Sequence, residues 1–375
     1  MHHLRWALVL VVIAAACSPS AVPVEAGLWG EPAVVEELRI GVEAGEDEYM
    51  FGSIRGVAAA PDGTIYVADR RPVIVRAYDG DGNFLRNVGR QGQGPGEYQY
   101  GPLLGVHPNG TVVTRDEARR VSFFTPEGGY LDSFNVAGYA MLVIEHDGDI
   151  VVQRGEGDLA VLKRYSVEGE ELEEIVAPLR ERDGVGFALG GVGLDFLVET
   201  ISVWSPLGYL VTGRNDRYDI ELRDPADTVH LRRNLPRPQV NPEERAEWEA
   251  FRELIYQGNL ESGREFNVDP VPDEKPYFRG LFAAEDGRIW VRRYVEAEKR
   301  NDILPSPDDP DRPVLTWREP VTYDVFEPDG TFLGSVVLPD RFTPMMIRGE
   351  LLWGVHSDDE GVQRVLRLRV IPEEG

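Results

Sequence analysis

One pattern returns six times along this chain: an apolar run, a tight turn ending in glycine and a second apolar run, followed by another pair of runs around a second turn. The clearest copy reads Gly56-Val57-Ala58-Ala59-Ala60-Pro61-Asp62-Gly63-Thr64-Ile65-Tyr66-Val67-Ala68-Asp69, then Val73 to Tyr78, Asp79-Gly80-Asp81-Gly82 and Asn83-Phe84-Leu85. Asp-Gly between alternating apolar runs signals a hairpin, because glycine supplies the positive φ that the turn demands. The first turn returns as Asn109-Gly110, Asp147-Gly148, Leu207-Gly208, Asp286-Gly287 and Arg348-Gly349. The second follows at Glu127-Gly128, Glu168-Gly169, near Asp227, at Asp329-Gly330 and at Glu360-Gly361. Four strands per copy and six copies predict an all-β chain closed by radial repetition, a six-bladed β-propeller.

The sixth copy has room for only about three strands before Gly375, while Ala33 to Val42 forms a lone strand ahead of the first copy. The N-terminal strand is therefore expected to close the last blade. Such closure pairs backbone groups that would otherwise stand on an open edge. The propeller then spans residues 33–375.

Ahead of it, Met1-His2-His3-Leu4-Arg5 leads into an apolar stretch, Trp6 to Ala16, which is too short to cross a bilayer as a helix. Residues 1–16 read as a signal peptide. Ala14-Ala15-Ala16 runs straight into Cys17, the only cysteine, and this junction resembles the lipobox of bacterial lipoproteins. The resemblance implies a lipid on Cys17, residues 17–32 as a tether, and a cell-envelope location facing the periplasm or on the outer membrane. The net charge is −26, and Arg5 leaves with the leader. So acidic a chain is a poor partner for nucleic acid or anionic lipid, which leaves the lipid anchor as its membrane contact. A monomer without internal disulfides is expected.

The stretch Gly56 to Gly82, with its Gly-Val-Ala, Asp-Gly, Ile-Tyr-Val-Ala-Asp and closing Asp-x-x-Gly, is similar to the NHL repeat. The linker Gly89-Arg90-Gln91-Gly92-Gln93-Gly94-Pro95-Gly96-Glu97-Tyr98 looks like the inter-blade segment of bacterial six-bladed members. The match is closest in blades 1 and 2, and it implies a fold, not a function. Some six-bladed relatives are enzymes: lactonase-like members hold a divalent metal in the channel with Glu, Asn and Asp, and amidating lyases use histidine-bound zinc.

In a four-stranded blade the turns between strands one and two, and three and four, share one face. The remaining connections lie on the other. All the tight glycine turns are expected in the first class, and the insertions 180–198, 237–277 and 295–319 in the second, which marks the insertion-bearing face as the working one. The second insertion carries one predicted helix: Asn241 caps it, Pro242 opens it, Glu244 completes a capping box, and the run ends near Gly258. Trp248, Phe251, Leu254 and Ile255 fall along one side, suited either to the channel mouth or to a blade edge.

Aligning the copies on the first turn puts Arg55, Arg279 and Arg341 at one position, eight residues before Gly63, Gly287 and Gly349, in contiguous blades. Three guanidinium groups there would attract a carboxylate or phosphate; the alternative is a set of structural ion pairs. The ends of the second strands add Asp69, Arg70, Asp116, Arg154, Arg214, Asp216, Arg293 and His356 as polar candidates. Once the leader is gone, His107, His146, His230 and His356 are the histidines left. His107 and His146 are one residue out of register and expected on opposite strand faces, which disfavours a histidine zinc site. No metal site is assigned and no cofactor is predicted, while an oxygen-ligand Ca2+ site stays open. The chain has no Gly-x-Ser-x-Gly elbow and no His-Glu-x-x-His. The favoured expectation is a non-catalytic module binding an envelope protein, peptide or glycan; the alternative is a metal-assisted hydrolase or lyase acting in the channel.

Overall fold

The computed structural model describes residues 27–373 apart from 117–118, 137–140, 157–158, 179–181, 184–187, 190–191, 194–195, 225–226, 262–269 and 305–311. The leader and Cys17 lie outside the described residues. Six antiparallel sheets stand around a central axis as blades. Their innermost strands are Ile54–Ala59, Leu103–Val106, Leu142–Ile144, Val198–Trp204, Phe278–Ala283 and Phe342–Arg348. The chain is a six-bladed β-propeller, as the repeat predicted.

Burial explains why the strands differ in pattern. The second strand of blade 1, Ile65–Arg70, is buried throughout except at Arg70, because neighbouring blades cover both its faces. The outermost strand, Phe84–Val88, has one exposed face and alternates half-buried with exposed residues until it ends on buried Val88. Clusters of buried side chains fill the spaces between blades, one of them joining Ile40, Val57, Tyr78, Met346 and Trp353 across blades 6 and 1.

Closure takes the expected form. Ala33–Ile40 pairs antiparallel with the C-terminal strand Gln363–Ile371, from Ala33 opposite Ile371 to Ile40 opposite Val365. Residues 27–32, expected to lie outside the propeller, pack against it. Trp29 is buried, packs edge-on against Trp290 at 6.4 Å, and donates its backbone N–H to Leu333 O at 2.6 Å. The segment before the closing strand therefore latches onto blade 5, so both blades flanking the closure hold the N-terminus.

All six first turns join strands one and two. At Gly148 (φ 97°) the backbone conformation favours glycine, and an added Cβ would also press on the His107 ring of the neighbouring blade. One turn falls on the other face. Gly361 (φ 81°) joins strands two and three of blade 6, Leu351–Ser357 and Gln363–Ile371, because the N-terminus supplies the fourth strand and no three-to-four turn exists there.

The described parts of the insertions 180–198, 237–277 and 295–319 connect strand ends on the face opposite the first turns. Short strands within them form extra pairs: Arg182–Asp183 adds to the inner edge of blade 4, and Glu298–Lys299 pairs with Trp317–Arg318. The helix runs Pro242–Glu261, three residues past the expected stop at Gly258, which has open space around it and no positive φ. Its start follows the sequence signals. Asn241 Oδ1 accepts from Glu243 N at 2.9 Å, and Glu244 Oε2 accepts from Asn241 N at 3.2 Å. No helix among the described residues is long and apolar enough to cross a membrane.

Candidate functional site

The helix packs on the insertion-bearing face through Trp248 and Phe251, with Phe196 and Tyr294 beneath. Leu254 is exposed, and the side chain of Ile255 lies outside the described residues. Polar contacts fix the helix to the third insertion: Glu247 accepts from Thr316 N at 2.6 Å, and Lys299 pairs with Glu243 at 2.7 Å.

Beneath the start of the helix sits Lys275, fully buried. Its ammonium donates to Glu244 at 2.7 Å, to Glu319 at 2.9 Å and to Val295 O at 3.2 Å, and lies over the Phe196 ring. Arg279 Nη1 stands 4.0 Å from Glu319. Two cations thus meet two carboxylates drawn from the helix, the inter-blade loop, blade 5 and the third insertion, and this ties the four together. Burial raises the Glu319 carboxyl above its ordinary value, an effect opposed by Lys275 and Arg279.

Beside this cluster the structure holds a pocket of about 460 Å³ across blades 5 and 6. Its cationic lining is Arg279, Arg292, Arg318 and Arg341; its aromatic lining includes Trp248, Trp317 and Tyr323; its carboxylates are Glu244, Glu319 and Asp340. All three carboxylates already have cationic partners: Lys275 takes Glu244 and Glu319, and Arg300 takes Asp340 at 2.9 Å. The guanidinium groups are engaged as well, Arg279 with Glu319, Arg341 with Asp359 and Arg292 with the Pro320 and Thr322 carbonyls, and the lining holds four of them against three carboxylates in a chain of net charge −26. The rings add flat apolar faces, and Arg279 stacks on Tyr294 at 4.6 Å.

Of the three aligned arginines, the structure thus brings Arg279 and Arg341 into one pocket. Arg341 also pairs with Asp359 at 2.5 Å. Arg55, in the first strand of blade 1, is half-buried and is not part of the lining. The second-strand candidates take other positions. Asp69 is fully buried and accepts from Ser53 N, Gly52 N, Arg71 N and Arg76; Asp116, also buried, accepts from Arg120 N and Gln99 N. Both hold strand ends together rather than facing a ligand. Arg293 points at buried Asp324 (3.6 Å), which also binds Arg233, Tyr218 and Ser335 between blades 4 and 5. Arg214 pairs with Asp216 at 2.9 Å. His356 is half-buried, and burial together with Arg39 and Arg364 lowers its pKa. The side chain of Arg154 lies outside the described residues.

Arg292 was missed because strand parity decides between it and Arg293: successive side chains take opposite faces, and only Arg292 reaches the pocket. His107 and His146 also depart from expectation. Both line one opening on the short-turn face, because the turn residues there leave the alternation of the strands. One group of acidic side chains among the described residues, Glu145, Asp147 and Asp149, is close enough to surround an ion. Arg164 already stands among them, 2.6 to 2.9 Å from each, and the group lies at a hairpin turn outside the pocket.

The buried carboxylates set an expected pH profile. Glu145, Glu285 and Glu319 are raised, in each case chiefly by burial. Their protonation contributes stability that is complete below the unfolded value near about 4.3 and is lost as pH rises through the native values. Glu37, Asp302 and Asp358 are lowered by Arg369, Arg300 and Arg364, Asp302 to about 2, so their contribution is lost as pH falls below the ordinary range. The melting temperature should therefore rise from neutral pH to a maximum in mildly acidic solution and fall below it. Thermal melts from about pH 8 to 3 check this, and the double substitution Glu145→Gln with Glu319→Gln should flatten the rise.

A family model described as a 6-bladed beta-propeller, DUF5128, matches residues 44–101, which contain blade 1 and the linker after it. No curated protein sequence matches the chain. Among solved structures, a Bacteroides fragilis protein described as exported is similar at 9% identity and TM-score 0.48, covering 91% of this chain and 95% of that one. A member of the DUF4221 family from Bacteroides vulgatus has 8% identity and TM-score 0.46, with 92% and 99% covered. A catalytically inactive virginiamycin B lyase from Staphylococcus aureus, with quinupristin, has 11% identity and TM-score 0.43, with 91% and 100% covered.

Proposed function

We propose that this protein is a non-catalytic binding module of the cell envelope, tethered through a lipid on Cys17, that takes a carboxylate-bearing peptide or glycan on its insertion-bearing face. The observation that carries this reading is the pocket under the helix, where Arg279, Arg292, Arg318 and Arg341 stand among Trp248, Trp317 and Tyr323. Guanidinium groups pair with carboxylates through two parallel donors, and the ring faces suit sugar or side-chain planes. The buried Lys275 cluster gives the pocket a rigid floor, so little conformational entropy is lost on binding.

Calorimetric titration with trigalacturonate and with a triglutamate peptide tests it. At least one should bind saturably, one per chain, with affinity falling as salt rises. The double substitution Arg279→Gln with Arg341→Gln should weaken binding roughly a hundredfold, since a hydrogen bond to a charged group contributes about 1.5–3 kcal/mol. Absence of binding by both probes, or equal affinity of the double variant, would sink the proposal.

A further inference from the structure

The six innermost strands also enclose a separate cavity of about 740 Å³ that opens on the opposite, short-turn face. Each blade contributes an apolar wall residue: Val57, Leu104, Ile144, Val203, Leu281 and Met345. The mouth carries His107, His146, Glu145, Glu285 and Arg348 from the first hairpin turns. Its charges are matched among themselves and with neighbours: Arg348 pairs with Glu285 at 2.6 Å, and Glu145 meets Arg164 at 2.6 Å and accepts from Trp204 Nε1 at 2.6 Å. A cavity of this size and lining matches small-molecule sites, which run about 300–1,000 Å³ with mostly apolar walls and a few polar groups. Water inside it finds few partners along the walls, so an apolar occupant displaces it favourably.

The path of the N-terminus indicates where that occupant comes from. Gln363–Ile371 runs from the insertion-bearing face to the short-turn face, and Ala33 pairs with its far end, Ile371. The chain therefore enters the propeller on the short-turn side, where Trp29 beds against Leu333 on the outermost strand of blade 5. Three strand spacings of about 4.8 Å, roughly 14 Å, separate that strand from the channel. The eleven residues from Cys17 to Gly27, ten Cα–Cα steps, reach at most about 35 Å. A chain anchored at Cys17 thus keeps its short-turn side, where the channel opens, within a tether's length of the membrane.

We propose that the channel binds the acyl chain of a neutral, single-chain membrane lipid, with the head group at the mouth. Neutrality follows from the paired charges there and from the overall negative charge. This site is separate from the arginine pocket and does not depend on it; it uses the proposed lipid anchor only to place the membrane.

The test uses the chain from Ser18 onward, which contains all six closed blades. The neutral fluorophore N-phenyl-1-naphthylamine should bind saturably and be displaced by monopalmitoylglycerol. Leu281→Trp and Leu104→Trp, on opposite sides of the ring, should each lower the affinity at least about tenfold with cooperative melting retained. Arg279→Gln with Arg341→Gln should leave it unchanged, which separates failure of this site from failure of the other. Lack of saturable binding, or retention of full affinity by whichever folded tryptophan variants are obtained, would overturn the assignment. So would a channel blocked in the lipidated full chain but open in the chain from Ser18, since the occupant would then be the protein's own lipid.

Discussion

A chain that begins after Gly41 is expected to lose its folded monomer. The closing strand covers Val365, Leu366, Leu368 and Val370, each at most 1% exposed, and it inserts Ile40, which is 2% exposed, between blades 6 and 1. Trp29 is lost with it, and Trp290 loses that edge-on contact. Each fully buried apolar side chain contributes about 1.5–3 kcal/mol, so the combined loss approaches the roughly 5–15 kcal/mol that stabilises a whole domain. The exposed edge of Gln363–Ile371 should then pair with other chains. Size-exclusion chromatography and thermal melts check the outcome: aggregates or strand-exchanged dimers, with monomer partly restored by a peptide of residues 27–42. A truncated monomer that melts like the parent would show that the ring closes without this strand. A point substitution gives a graded version, since Ile40→Asp buries a charge at a core position and should cost about 4 kcal/mol.

The second large effect is expected at Lys275. Replacing it with Met removes the cation between Glu244 and Glu319 and leaves two carboxylates buried side by side. Breaking a buried pair in this way costs about 3–5 kcal/mol, because the remaining charge is neither solvated nor paired. The loss should concentrate on the insertion-bearing face, with faster hydrogen exchange in Pro242–Glu261 and 295–304 while the blades stay protected. Adding Glu319→Gln should recover part of the loss by removing one stranded charge, and binding of the anionic probes should fall with the single change. If Lys275→Met melts within about 2 °C of the parent, the cluster does not hold the insertions together.

Much of this architecture was legible because it rests on local chemistry. Asp62-Gly63 and its five counterparts announce hairpins, the missing fourth strand of blade 6 calls for Ala33–Ile40, and Asn241 with Glu244 announces a helix start. The site was legible only in part. Arg279 and Arg341 came from register alone, yet their pocket also needs Trp317 and Arg318 from a loop whose path no periodicity sets. Lys275 gave no signal, since a lysine in a polar loop reads as solvated until packing closes over it. Asp69 and Asp116 looked like rim carboxylates because the backbone amides that engage them come from elsewhere in the fold. The apolar channel was hidden because wall residues such as Val57 and Leu281 look like ordinary core positions.

The most direct test of the central claim, recognition of an anionic group on the insertion-bearing face, is hydrogen–deuterium exchange with and without saturating trigalacturonate or triglutamate. Recognition on that face predicts slower exchange in the helix Pro242–Glu261 and in the segments around Arg279, Arg292, Arg318 and Arg341, with the hairpins 60–64 and 145–149 unchanged. Protection confined to those short-turn hairpins, or spread evenly over all six blades, would contradict it.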